Sequence, residues 1–392
     1  MSVSSTSSAP GQRSVRAAVA AVVAVALLAP VGFLFAQVWS STGDTLSFNE
    51  SERRGVAYLG PLTELLSVAT EAQSSAVRGE PVANAAVQSA IAAVDEVDRR
   101  LGGQLRTTER WTAIRLTVQD RASRSWPVPS VAYTQYSDLV TSLIELNRKV
   151  GDTSNLILDP ELDAYYVMNA TLLRIPEILV DSGRYADLTV LAAGGEKDAD
   201  ALAQLTTARN RVATDAADLG DGLLKAFAGT RSETLGPGLT RQLDDFQTAV
   251  DAVAPSSSLL APAPERSLRT LGGDQDELQR TALALHRAAL AELDSLLRAR
   301  QDAAERTRLF AMIAAVLAVL VVAGVAVGLE PAWFGAVDRP DGDADRVERD
   351  GPRRATRPAD GGGDMRGGGD MRGGELAAAG GHERRGGARA AR

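Results

Sequence analysis

Residues Leu309 to Leu329 read LFAMIAAVLAVLVVAGVAVGL, twenty-one residues without a charge, with Arg306 and Arg308 before them and Glu330 after. At about 1.5 Å of rise per residue a helix of this length measures roughly 31 Å, matching a hydrocarbon core of about 30 Å. The stretch is predicted to cross a membrane. A second apolar run, AAVAAVVAVALLAPVGFLFAQVW from Ala17 to Trp39, follows Arg13 and Arg16. It is long for the apolar core of a signal peptide, and its exit at Leu34, Phe35 and Ala36 lacks a small-x-small cleavage site, so an uncleaved anchor is favoured over a cleaved leader. Pro30 is expected to kink this helix, which a membrane span tolerates, and Trp39 stands where an interfacial aromatic belongs.

Two spans place both ends of the chain on one side. Arg13 and Arg16 beside the first span favour a cytoplasmic N-terminus over residues 1–16, hence a cell-membrane protein with both termini cytoplasmic. Residues 17–39 and 309–329 are then the spans, 40–308 lies outside, and 330–392 returns to the cytoplasm. Arg298, Arg300, Arg306 and Arg308 crowd the outer end of the second span, against this orientation. Long segments cross regardless of their charge, so the first helix decides.

The chain has 392 residues, 45% hydrophobic but only 4% aromatic, a composition dominated by Ala, Leu and Val that suits long helices. With no cysteine there is no disulfide, thiol nucleophile or thiolate metal site, and two histidines, His286 and His382, do not build a multi-histidine centre. No cofactor and no metal are expected, and the composition speaks against most enzymes. A net charge of −8 gives no general attraction to nucleic acid, which is not expected as a partner.

The outer segment is predicted to be helical throughout. Val56, Leu59, Leu62, Leu66, Ala69 and Ala76 recur in helical steps and predict one buried face. Pro81 is placed at the first position of a second helix, with Val87, Ile91, Val94 and Leu101 as its stripe and Gly102 and Gly103 as its end. A third carries Trp111, Ile114 and Val118 and stops before Trp126. A fourth runs from near Ser130 through Leu139, Leu143 and Leu146. Another run, beyond Gly194 and Gly195, ends near Gly229; Gly236 to Gly238 and PSSSLLAPAP (Pro255 to Pro264) are read as breaks. Asp274 and Glu277 have capping-box spacing and are expected to launch a last outer helix whose stripe of Leu278, Ala282, Leu285, Ala289, Leu293 and Leu296 runs unbroken into the second span. The fold class is therefore all-α: an elongated helical bundle, one four-helix bundle or two stacked, whose first and last helices continue into the membrane.

Between Val150 and Asp187 the chain reads VGDTSNLILDPELDAYYVMNATLLRIPEILVDSGRYAD. Asp159 is a helix cap by type, Pro160 suits a first helical position, Pro176 should kink the helix, and Leu162, Tyr165, Asn169, Leu172, Pro176 and Leu179 fall on one face. This stretch resembles the outer sensor region of bacterial methyl-accepting chemotaxis receptors and of some sensor histidine kinases, where a string like DTSNLILDP-LD-YY-M stands before an apolar helix. GVAYLGPLTELL, Gly55 to Leu66, resembles a weaker string that such chains carry after the first span. With the two-span layout the resemblance covers roughly residues 10 to 329. It implies a homodimeric receptor that senses a small molecule or a protein outside the cell.

Asn155, Asp163, Tyr165, Tyr166, Asn169 and Arg174 are the candidate ligand contacts, Arg174 as charge partner of a small polar or anionic ligand and the tyrosines as hydroxyl and ring donors. The competing assignment has Asn155 and Asp163 holding a corner between helices, the tyrosines filling core and Arg174 solvated. No catalytic group is assembled. GGDQDE at Gly272 and GGEL at Gly373 lack the domain around a diguanylate-cyclase signature. Asp341, Asp343 and Asp345 fail as a calcium loop, with Arg346 and Pro352 where glycine and glutamate are needed. His286 lies in an outer helix and is expected to be a surface or core histidine.

The tail from Glu330 has sixty-three residues, carries GGGDMRGGGDMRGGEL and shows no apolar periodicity after Val337, so it is expected to be disordered. Neither the opening of a HAMP linker nor a coiled coil or kinase module follows the second span. Two explanations fit: a short sensor with an unstructured docking tail whose twelve basic and twelve acidic residues balance, or a reading frame that slips just after the second span. The corresponding functional expectation is a chemotaxis-type receptor with truncated output. The alternative is a non-signalling membrane adaptor whose outer bundle binds another protein.

Overall fold

The structure, a computed structural model, describes residues 11–159, 161–194, 199–255 and 268–328. Pro160, most of the PSSSLLAPAP stretch, the first ten residues and the tail from Glu330 lie outside the described residues, and so do the expectations placed on them. All regular structure among the described residues is helical: α1 (Gly11–Arg78), α2 (Asn84–Leu105), α3 (Thr108–Ser123), α4 (Pro129–Thr153), α5 (Leu162–Asn169), α6 (Ile175–Ala193), α7 (Ala199–Gly229), α8 (Leu235–Val253) and α9 (Leu268–Gly328). The all-α expectation holds. So does the continuity of the outer helices: α1 and α9 are single helices of 68 and 61 residues. Each contains a stretch long and apolar enough to cross a membrane, and those stretches are unburied, with Phe33, Leu34, Phe310 and Leu320 all exposed.

The rest of the chain folds around α1. Helices α2, α3 and α4 make one four-helix layer with it, while α5 and α6, end to end, make a second layer with α7, α8 and α9. The layers stand side by side and meet where α1 packs on α9 and α6. Partners at one level show this: Arg53 of α1 reaches Asp294 of α9, Gly55 abuts Ser154 at the end of α4, and Thr234, just before α8, donates to Glu292 of α9. Two layers are therefore at one height along the helix axes, and the seam between them is the α1–α9 pair.

This arrangement changes the reading of α1. Instead of one buried face it is enclosed nearly all round from Val56 to Val77, with Tyr58, Leu59, Leu62, Leu65 and Leu66 buried together with Thr63, Ser67, Thr70, Gln73 and Ser74. Each of the large apolar side chains contributes about 1.5–3 kcal/mol by leaving water. The small hydroxyls on the other faces are what let neighbouring helices approach. Gly183 of α6 has no room for a Cβ against Thr70, nor has Gly55 against Ser154 and Leu156.

Several helix ends differ from expectation. Helix α2 begins at Asn84, three residues beyond Pro81, and runs through Gly102 and Gly103 to Leu105, ending where Arg106 takes the left-handed conformation (φ 54°) and its N–H reaches the Gly102 carbonyl. Gly102 lies too close to Asp98 and Thr108 to carry a side chain, so here glycine serves packing rather than termination. Helix α9 begins at Leu268, which makes Asp274 an interior residue instead of a cap. Gly236 to Gly238 lie within the first turn of α8, where a proline such as Pro237 costs no intrahelical bond.

The segment around Pro176 departs furthest. Residues Ala170–Arg174 form a π turn between α5 and α6, and the Ile175 N–H reaches the Ala170 carbonyl. Pro176 has no N–H, so the carbonyls of Leu172 and Thr171, its α-type and π-type partners, are left without a helical donor. The Asn147 side-chain amide of α4 donates to the first, and His286 Nε2 of α9 lies 3.1 Å from the second. The extra residue in the turn also rotates the preceding helix. Leu162 (56%) and Tyr165 (42%) face out, and Ala164, Val167 and Met168 face in, so the expected single face through Leu162, Tyr165 and Leu179 does not form.

Candidate functional site

Polar residues cross-link α1 and α9 from Thr42 to Ser67 in one antiparallel register. Beside the apolar stretches, Arg308 of α9 donates to the Thr42 hydroxyl at 2.9 Å and lies over the Trp39 ring, 4.6 Å from its centroid. Higher up, Asn49 donates to the Leu297 carbonyl and Arg53 to Asp294 (2.8 Å) and Gln301 (3.1 Å). Thr63 lies 3.2 Å from His286 Nε2, and Ser67 donates to Gln279 at 2.9 Å. The register carries on into the apolar stretches. There Ala24, Leu28, Val31, Phe35 and Val38 of α1 and Ala311, Ala315, Ala318 and Val322 of α9 are the half-buried positions on otherwise exposed helices.

Two groups on the seam have unusual electrostatics. In the first, Arg300 of α9 binds Asp159 through two contacts of 3.0 and 2.9 Å and pairs with Glu161 at 3.0 Å. The Asp159 side chain is fully buried, and Glu52 of α1, 1% exposed, stands against the same pair. Burial, and then the neighbouring Asp159 carboxylate, push the Glu52 carboxyl up to about 8, so it holds its proton at neutral pH. Asp159, expected as a helix cap, does accept the Glu161 N–H, but α5 starts at Leu162 and the residue's main partner is the distant Arg300. The second is His286, fully buried between Thr63 and the π turn. Burial lowers its pKa to about 4, and as a neutral imidazole it donates its Nε2 proton toward the Thr171 carbonyl.

The six residues singled out from sequence are brought near one another but do not converge on one cavity. Asn155 takes the left-handed conformation (φ 65°) in the turn after α4. Asp163 accepts the Ala164 N–H and the Thr230 hydroxyl, tying the start of α5 to the end of α7. Tyr165 is exposed, Tyr166 packs edge-on against it and on α7 beside Lys225, and Asn169 is half-buried. Arg174 is engaged by two carboxylates of α7, Asp215 and Asp218, the latter at 3.0 Å. Its charge is therefore balanced within the chain. Asn155 and Asp163 do hold the corner, as the competing assignment has it, whereas Arg174 is ion-paired rather than simply solvated.

Sequence reasoning missed Glu52, Arg300, Gln275 and Gln279. Their signal was polar residues at inward positions of apolar helical stripes, Gln275, Gln279 and His286 being threaded among Leu278, Ala282 and Leu285. Among the described residues no group of three or more acidic, histidine or cysteine side chains could hold a metal ion. The chain matches no protein-family model, no curated protein and no solved structure. The resemblance to chemotaxis-receptor sensor regions accordingly rests on Val150–Asp187, Gly55–Leu66 and the two-span layout, with no support from these comparisons.

Proposed function

We propose that the chain is a membrane-anchored sensory receptor of the chemotaxis-receptor type. Its bundle stands outside the cell, both termini lie in the cytoplasm, and it signals without catalysing a reaction. The observation that carries this is the continuity of α1 and α9. A rearrangement of the seam inside the bundle has two unbroken helices along which to reach the membrane stretches, with no linker to absorb it. A ligand that favours one of two seam arrangements would shift α9 along α1 by about 1–2 Å, the scale on which packed helices switch. Because α1 is enclosed within one chain, a homodimer would meet through the spans or the outer faces of the layers and not along the buried part of α1.

A second reading, a non-signalling adaptor that holds another protein, is favoured by one feature. Ile157, Leu158, Leu162 and Tyr165 are exposed together around the start of α5.

The absence of cysteine makes the test clean. Single cysteines at Ser142 in α4 and Ala378 in the tail are labelled with a membrane-impermeant maleimide on intact cells. Labelling of Ser142→Cys alone supports the receptor orientation; labelling of Ala378→Cys alone inverts it and removes the proposal.

A further inference from the structure

At the end of the seam farthest from the apolar stretches, α1 and α9 part to form a cleft of about 350 Å³. Its wall includes Gln275, a residue only 3% exposed that also lines a neighbouring cavity of about 230 Å³. Several buried polar side chains around it have partners, Ser67 with Gln279, Gln73 with Asp187 and Thr70 with the Leu66 carbonyl, whereas the Ser74 hydroxyl on the same wall has none among the described residues. The Gln275 carboxamide has none among the described residues. The residue is otherwise enclosed, and its carboxamide opens into the cleft, where a ligand can take up its donor and acceptor.

The rim carries both signs of charge. Glu71 of α1 and Asp276 of α9 face each other in the seam's register, and neither joins an ion pair among the described residues. Arg280 and Arg287 line the same cleft, held in exposed pairs with Glu277 and Glu64. Pairs of that kind are worth at most about 1 kcal/mol, so both guanidiniums are open to a second carboxylate.

We infer that this cleft binds a short peptide: Gln275 pairs with a main-chain amide of the ligand, Glu71 and Asp276 take its terminal ammonium, and Arg280 or Arg287 takes its carboxylate. A carboxamide offers a donor and an acceptor in one plane, the complement of a peptide group, and this is what distinguishes the ligand from a simple ion or a lone amine. The cleft volume is at the lower end of the range for small-ligand sites, enough for two or three residues. Both of its walls belong to the helices that reach the membrane stretches. The inference therefore supplies the ligand class for the receptor reading, while binding itself does not depend on that reading.

The test uses the full chain in lipid nanodiscs and isothermal titration with triglycine, glycine and N-acetyltriglycine. Triglycine is expected to bind saturably. Glycine, which has no peptide group, and N-acetyltriglycine, which has no ammonium, should each bind at least about tenfold more weakly. Gln275→Leu should lose triglycine binding by about tenfold or more while its thermal midpoint stays level or rises, since it replaces an amide that makes no hydrogen bond within the bundle by an apolar group of similar size. A purely structural glutamine would show the reverse. No saturable triglycine heat, equal binding of glycine, or undiminished binding by Gln275→Leu each overturns the inference. Saturable binding that leaves the distance between spin labels on the two spans unchanged would instead count against transmission alone.

Discussion

Replacing Arg300 with leucine isolates the charge cluster at the lower end of the bundle. The guanidinium makes two contacts to Asp159, whose side chain is fully buried, and one to Glu161. Removing it leaves the Asp159 carboxylate in a dry site, with the Glu52 carboxyl on one side and no counter-charge. Breaking a buried pair from one side costs about 3–5 kcal/mol, far more than the intact pair contributes over an apolar replacement. For a helical body of roughly 250 residues that corresponds to a fall in melting temperature on the order of 6–20 °C. Thermal and urea unfolding of the full chain in nanodiscs, followed by circular dichroism, measures it. In the double variant Arg300→Leu/Asp159→Asn most of the loss should return, giving a coupling energy of about 2–3 kcal/mol in a double-mutant cycle. A single variant within about 1 kcal/mol of the parent, or strictly additive effects, would mean that Asp159 is solvated and would refute the reasoning.

Above about pH 6.5, where His286 is neutral in both the folded and unfolded chain and no longer opposes the trend, stability should fall as pH rises. Burial holds the Asp187 carboxyl at about 7 against an ordinary 3.8, and Glu52 sits at about 8 against 4.5. The folded state thus binds protons that the unfolded chain has released; the penalty is absent below pH 4, grows through the window between each pair of values and is complete above the folded one. It amounts to at most about 4–5 kcal/mol per group, and Asp187→Asn with Glu52→Gln should flatten the profile of urea midpoints between about pH 6.5 and 8.5. His286→Leu should cost about 1–3 kcal/mol by orphaning the Thr171 carbonyl, and Pro176→Ala in that background should restore part of it by supplying an N–H, both read from urea unfolding. Gly183→Val, which drives a side chain into Thr70, should destabilise by about 1–3 kcal/mol or more, whereas Gly273→Ala, at an open position on α9, should be neutral or slightly stabilising by the same measurement.

The helices and the two apolar stretches were legible because they rest on periodicity and length, signals local to each segment. The stripes from Leu278 to Leu293 and through Trp111, Ile114 and Val118 are buried as their spacing required, and Leu296 is half-buried beside the buried Leu297. What was not legible depended on partners distant in the chain. Asp159 looks like a cap until Arg300, far along the sequence, arrives beside it. Pro176 signals a kink, but the π turn that accommodates it needs Asn147 and His286 from two other helices. The enclosure of α1 was hidden because its second and third faces are lined by Thr, Ser and Gln, which a hydrophobic count scores as surface. The six proposed contacts were chosen for chemical type, and type alone did not reveal that Asp215 and Asp218 already neutralise Arg174.

The claim beneath all of this is that α1 and α9 keep one antiparallel register from the bundle into the membrane stretches. Pairwise cysteine cross-linking in native membranes tests it most directly. Phe35→Cys with Ala311→Cys, and Leu28→Cys with Ala318→Cys, are predicted to form disulfides readily, and the mismatched pair Phe35→Cys with Ala318→Cys is predicted not to. Equal cross-linking of matched and mismatched pairs, or none at all, would show that the register is lost beyond Trp39 and Arg308, and the two long helices would then not act as a coupled pair.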